Sequence, residues 1–228
     1  AYILIEDLTD EEFLKNNFIV FATKNGVVKK TTVESYSRPR VNGINAITIK
    51  DDDILLEARL TNGNTNIILG SKKGRAIRFN ESKLRSMGRT ASGVRGMKID
   101  IEAGDEIVGM IIDSPESAGQ AILTISERGY GKRSVIDDYT IINRGGKGMK
   151  NMQITDKTQE VAYVKAVEEF DDLMITTKNG IVIRMKVSDI RIMGRATQGV
   201  KVIKIDDKDS IADAAIIKKD EHDTDEEE

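Results

Sequence analysis

Side chains able to do covalent or metal chemistry are scarce in this chain, while side chains able to hold a polyanion recur. Cysteine is absent, which removes disulfides, thiol catalysis and thiolate metal sites together. One histidine occurs, His222, in an acidic tail, so neither a His-based zinc site nor a Ser-His-Asp triad can be built. Carboxylate pairs occur at Asp137-Asp138 and Asp171-Asp172, and a triplet at 51–53. They fall in acidic, turn-like stretches where solvated or turn-forming roles suit them better than acid–base work. The Lys-Lys-Gly and Arg-Gly-Gly-Lys-Gly runs lack the spacing and trailing Ser/Thr of a nucleotide phosphate loop.

The cations stand at regular stations. Four glycines, Gly26, Gly74, Gly129 and Gly180, are each followed four residues later by Lys30, Arg78, Arg133 and Arg184. Basic loops follow, ending at Gly43, Gly93, Gly148 and Gly199. The candidate polyanion-contacting set is Lys29, Lys30, Arg38 and Arg40; Arg75, Arg78, Arg85 and Arg89; Lys132, Arg133, Arg144, Gly145, Gly146, Lys147 and Gly148; and Arg184, Arg191 and Arg195. Repeated at one register, these predict a basic belt on a rim, suited to a long, bent polyanion held by its phosphates. The plainer alternative is that surface loops of any globular protein are rich in Lys and Arg.

The elements that must carry these stations form a repeat. Each unit opens with an apolar strand and a Gly turn, as in FIVFATKNG, NIILGSKKG, AILTISERG and DLMITTKNG. A short second strand follows, then the basic loop, a third strand such as VRGMKI or VKVIKI, an acidic or polar turn, and a fourth strand. Four β-branched, alternating strands per unit of about 50 residues predict an all-β, propeller-like pinwheel of four-stranded blades. A blade cannot bury its faces alone, so neighbours must stack. The expected blades are 18–64, 65–119, 120–171 and 172–219 within one domain, with a disordered acidic tail at 220–228. Residues 1–17 read as the end of a preceding blade and a linker, with LTDEEFLKNN a helical turn or a loop.

The composition sets the outer bounds. Of 228 residues, 39% are hydrophobic, too many for a disordered chain. No apolar run approaches bilayer length and no secretory leader opens the sequence, which fits a reducing cytoplasm. The net charge of −3 conceals a basic body. Residues 220–228 hold seven acids and no Lys or Arg, whereas 18–219 hold 34 basic and 26 acidic residues, a net of +8. A basic body suits a polyanion, and an acidic tail can compete for the same surface. With no Trp and only five Phe and five Tyr, a stacking platform for single strands is missing, which favours duplex.

The run GYGKRS, the loops MGRTASGVRG and MGRATQGVKV, and the KNG turns resemble the C-terminal DNA-wrapping domain of the bacterial DNA gyrase A protein, from about Phe18 to Ile217. The equivalent domain of topoisomerase IV is the close relative. The resemblance implies a strand-exchanging β-pinwheel that wraps duplex DNA without sequence specificity and supports ATP-dependent negative supercoiling. It implies a non-catalytic segment of a type II topoisomerase, cut from a longer polypeptide and needing no cofactor of its own. ATP and Mg2+ belong to the whole enzyme, and the partners are gyrase B and the rest of gyrase A in an A2B2 assembly. The family's QRRGGKG box has its nearest match at 142–148, which keeps RGGKG but has Ile142 and Asn143 in place of Gln and Arg, and lies in the third visible repeat. That segment reads either as an ordinary blade loop or as a displaced box whose glycine N–H groups approach phosphates. The competing readings are a topoisomerase IV homologue and a protein-interaction propeller.

Overall fold

The computed structural model describes residues 3, 5, 8–50, 52–115 and 119–218; the acidic tail lies outside them. The described residues of Ala1–Ser71, Ala76–Glu116 and Ile141–Gly148 form one compact unit, and those of Lys72–Arg75, Ser117–Thr140 and Met149–Glu228 form a second.

In the first unit, a short helix α1 (Glu11–Asn16) is capped by Asp10, whose carboxylate accepts from the N–H groups of Glu12 and Phe13 at 3.0 Å. Strands β1 (Phe18–Thr23), β2 (Val27–Thr32) and β3 (Leu55–Thr61) form an antiparallel sheet in the order β3-β1-β2. Strands β4 (Asn66–Ser71), β5 (Arg75–Asn80) and β7 (Ile107–Asp113) repeat the plan, with β4 central. The two-residue strand β6 (Val94–Arg95) belongs by sequence to the second repeat but pairs with β2 of the first, Val27 opposite Arg95 and Val28 opposite Val94. Val20, Ala22 and Val28 pack on Ile67, Leu69, Ile77 and Phe79 in one apolar cluster. The central strands β1 and β4 are buried on both faces, so FIVFAT and NIILGS read as near-continuous apolar runs.

The second unit runs β8 (Ala121–Ser126), β9 (Tyr130–Val135), β10 (Met149–Lys150), β11 (Val161–Val167), β12 (Asp172–Thr177), β13 (Val182–Lys186), β14 (Val200–Lys201) and β15 (Ile211–Ile217). It holds a sheet ordered β11-β8-β9-β14 and one ordered β13-β12-β15. Here too the exchanged strand crosses: β14 of the fourth repeat pairs with β9 of the third. Leu123 and Ile125 face Leu173 and Ile175 across the shared core.

The turn glycines are needed for two reasons. Gly129 has φ +76°, and its carbonyl accepts from Val202 N–H at 2.9 Å and Ile203 N–H at 3.2 Å. A Cβ there would stand 2.5 Å from the Ile203 carbonyl oxygen. Gly180 has φ +86°, but among the described residues nothing lies within 4 Å of its Cβ position, because its sheet has no exchanged fourth strand. Gly129→Ala and Gly180→Ala therefore share the left-handed penalty of about 1–2 kcal/mol. Only Gly129→Ala adds a backbone collision, costing roughly a further 1–3 kcal/mol. Thermal melts are expected to place Gly129→Ala several degrees below Gly180→Ala, and equal melting points would contradict the close approach.

Candidate nucleic-acid interface

Of the cations four residues after the turn glycines, Lys30, Arg78 and Arg133 are turned inward, while Arg184 is ion-paired but stays half exposed. Lys30 is 7% exposed, with Nζ 3.4 Å from Glu81 Oε1. Arg78 donates to Asp113 Oδ2 from Nε at 3.0 Å and Nη2 at 2.6 Å. Arg133, 5% exposed, donates to Glu169 at 2.9 Å and to the Ile190 carbonyl at 2.6 Å. Arg184 donates from Nε to Asp172 at 2.7 Å, although its own side chain stays half exposed. A mid-strand position of an enclosed sheet cannot reach a rim, and a charge held there must be paired.

Lys29 and Lys132, one residue earlier and on the opposite strand face, have no exposed surface at all. Lys29 Nζ donates to the carbonyls of Ala46, at 2.6 Å, and Arg89. Lys132 Nζ donates to the carbonyls of Gly194 at 2.9 Å and Arg195 at 2.5 Å. The expected belt is thus corrected at Lys29, Lys30, Lys132 and Arg133, which are buried on internal partners, and at Arg78, which is mostly so. Arg75, at the start of β5, is half-buried.

Burial pushes both lysines down from 10.5 to about 8. The nearby Arg89 charge adds to this at Lys29; at Lys132 Asp138 opposes it and Arg195 adds to it. The folded value lies below the unfolded one, so the unfolded chain holds these protons more tightly. Their contribution to stability is lowest below pH 8 and rises between pH 8 and 10.5. The melting-point difference between the parent and a Lys29→Met/Lys132→Met variant is expected to move in the parent's favour over that window. A flat difference would contradict the depressed values.

The loops keep their cations outside. Arg38, Arg40, Arg85 and Arg191 are exposed, and Arg89 is half-buried. Arg144 donates from Nε to the Lys83 carbonyl at 2.9 Å and from Nη1 to the Arg95 carbonyl at 3.0 Å. Arg195, at the same station in the second unit, donates from Nε to the Asp138 carbonyl at 2.9 Å and from Nη1 to the Lys150 carbonyl at 2.7 Å. Each arginine staples its loop to two backbone carbonyls. The Nη2 of each has no protein partner among the described residues and remains available to an anion.

In the first unit this staple gathers Lys83, Arg95 and Arg144 at one place. In the second, Asp138 stands where the first has Lys83. The glycine-rich loop is less open than its sequence suggests: Gly145 N–H donates to the Gly96 carbonyl at 2.6 Å, and the Gly146 carbonyl accepts from Lys98 N–H at 2.8 Å. Gly148, at φ +67°, lies directly against the Ala76 carbonyl. Lys147 stays exposed, and Gly146 N–H has no partner among the described residues.

Sequence reasoning missed Arg95, Lys150 and Lys201. All three are exposed, on the short strands β6, β10 and β14, two residues after the second glycine of their repeats. The signal was the same register that exposed the others, broken only by Asn45 in the first repeat. Among the described residues no three His, Cys, Asp or Glu side chains are grouped to hold a metal, and no helix is long and apolar enough to cross a membrane.

Exchanged short strands and a stapled basic loop in each compact unit, at Arg144 and at Arg195, characterise this fold. The family model described as DNA gyrase C-terminal domain, beta-propeller, matches residues 17–62, 65–112, 120–168 and 171–218. The chain belongs to this family. It is 43% identical over 221 residues to the DNA gyrase A protein of Staphylococcus aureus (strain NCTC 8325 / PS 47), covering 97% of this chain and 24% of that protein. The chain thus spans about a quarter of the length of such relatives.

A crystal structure of the C-terminal domain of DNA topoisomerase IV superposes with a TM-score of 0.83 at 25% identity, covering 94% of this chain and 64% of that one. A structure of a DNA gyrase A C-terminal domain gives 0.77 at 26% identity, covering 93% and 68%. The all-β pinwheel class expected from the repeats is the fold of this gyrase family, and the chain is homologous to part of a type II topoisomerase.

Proposed function

We propose that the chain binds and bends duplex DNA without sequence specificity, as the wrapping part of gyrase A. The observation that carries this reading is the stapled arginine. In both units it presents a free guanidinium edge beside an exposed Lys or Arg on a short strand, Arg95 with Arg144 and Lys150 with Arg195. Guanidinium edges and ammonium groups meet phosphates, which position a duplex without reading its bases. In this reading the segment does no chemistry. ATP and Mg2+ act elsewhere in an assembly with gyrase B and the rest of gyrase A, which turns the wrap into negative supercoils.

The test is incubation with relaxed circular duplex DNA and a nicking–closing topoisomerase, followed by counting trapped supercoils on a gel. Trapped supercoils of one sign are expected. Binding without trapping would favour a topoisomerase IV-like role, the alternative raised by the 0.83 superposition. No binding at low salt would move the function to a protein-interaction surface. The acidic residues 220–228 are proposed to compete for the cations, so their deletion is expected to tighten binding chiefly at low salt. An unchanged affinity across a salt series would remove that role.

A further inference from the structure

One position of the second strand alternates between repeats. Three residues after the turn glycine stand Lys29, Ile77, Lys132 and Ile183. The two lysines reach equivalent targets. Lys29 donates to the carbonyl of Arg89, and Lys132 to the carbonyls of Gly194 and Arg195. The loops they hold read Met87-Gly88-Arg89 and Met193-Gly194-Arg195. The third basic loop, Ile142 to Gly148, contains no Met-Gly-Arg, and its Gly148 lies against Ala76 and Ile77. Lysine thus accompanies the Met-Gly-Arg loop, and isoleucine accompanies the glycine-rich one.

Burying an ammonium group is expensive, and an apolar side chain fills the same place in the sister repeats, so the fold does not need lysine there for packing. An ammonium offers three donors and no acceptor, and here those donors are spent on loop carbonyls. Holding the arginine's own carbonyl inward fixes the peptide plane that follows it and sets the direction of the arginine side chain. We propose that Lys29 and Lys132 are positioning residues that hold the Arg89 and Arg195 loops in the form that meets the duplex. This rests on the duplex-binding function proposed above.

The test is Lys132→Met in the full chain, which frees one loop and leaves the Met87–Gly93 loop as a control within the same molecule. Amide hydrogen exchange is read without DNA. It is expected to quicken at least tenfold across Met193–Gly199, while Met87–Gly93 and strands β8 and β11 stay at parental rates. Lys29→Met should give the mirror result. The double variant is expected to keep the parental melting point at pH 7 or exceed it, to bind duplex about tenfold more weakly at 0.1 M salt, and to trap fewer supercoils.

Unchanged loop exchange would overturn the proposal, as would faster exchange with parental affinity. A melting point lowered in step with a general loss of protection would make the lysines plain scaffold and overturn it too. Failure of the parent chain to bind duplex would defeat the functional reading instead. That outcome is recognised separately, because the exchange measurement needs no DNA.

Discussion

A chain carrying Arg89→Gln, Arg144→Gln and Arg195→Gln is expected to bind duplex DNA roughly two to three orders of magnitude more weakly at 0.1 M salt. Each phosphate contact contributes about 0.9 to the slope of log affinity against log salt, or close to a tenfold factor at that concentration. The salt slope should therefore flatten by about 2–3. Glutamine retains a planar donor for the carbonyls that hold Arg144 and Arg195, but removes the charge.

The corresponding lysine triple separates charge from geometry. Lysine is a point charge on a flexible stem and cannot span two carbonyls while offering a third edge outward. It should keep most of the salt slope yet trap fewer supercoils, since wrapping needs cations at set places. A glutamine triple with the parental slope, measured by filter binding over a salt series, would remove these arginines from the interface.

The repeat was plain in the sequence because glycine marks it. Gly26, Gly74 and Gly129 each have φ between +75° and +79°, and few other residues would serve. The strands were readable for the same local reason, their β-branched residues lying between those turns. Strand exchange was not readable. Val94–Arg95 and Val200–Lys201 are two residues long, too short to show a period, and their partners lie in another repeat.

The charge register was readable but pointed to two different things. Arg144 and Arg195 lie in loops and keep an outward edge. Lys30, Arg78 and Arg133 recur with equal regularity, yet their acids lie 51, 35 and 36 residues away, at Glu81, Asp113 and Glu169. Regular spacing shows that a side chain has a repeated role, and only the fold shows whether that role faces a ligand or the core.

The pair Lys30 and Glu81 puts that distinction to a quantitative test. Glu81 has no exposed surface; it accepts from the hydroxyls of Thr61 at 2.7 Å and Thr65 at 2.6 Å and stands 3.4 Å from Lys30. Glu81→Ala leaves a buried ammonium without its carboxylate, a loss of about 3–5 kcal/mol. In a domain of this size that lowers the melting point by roughly 6–20 °C. Replacing both partners with apolar residues, Lys30→Met with Glu81→Leu, removes the charge instead of stranding it and should recover part of the loss, the Thr61 and Thr65 hydroxyls having lost their acceptor in either variant. If Lys30 belonged to the DNA surface, the double variant would lose about 0.9 of salt slope. Because Lys30 is spent on Glu81, the recovered double variant is expected to keep the parental slope. A flattened slope in a fully folded double variant would return Lys30 to the interface and restore the wider belt.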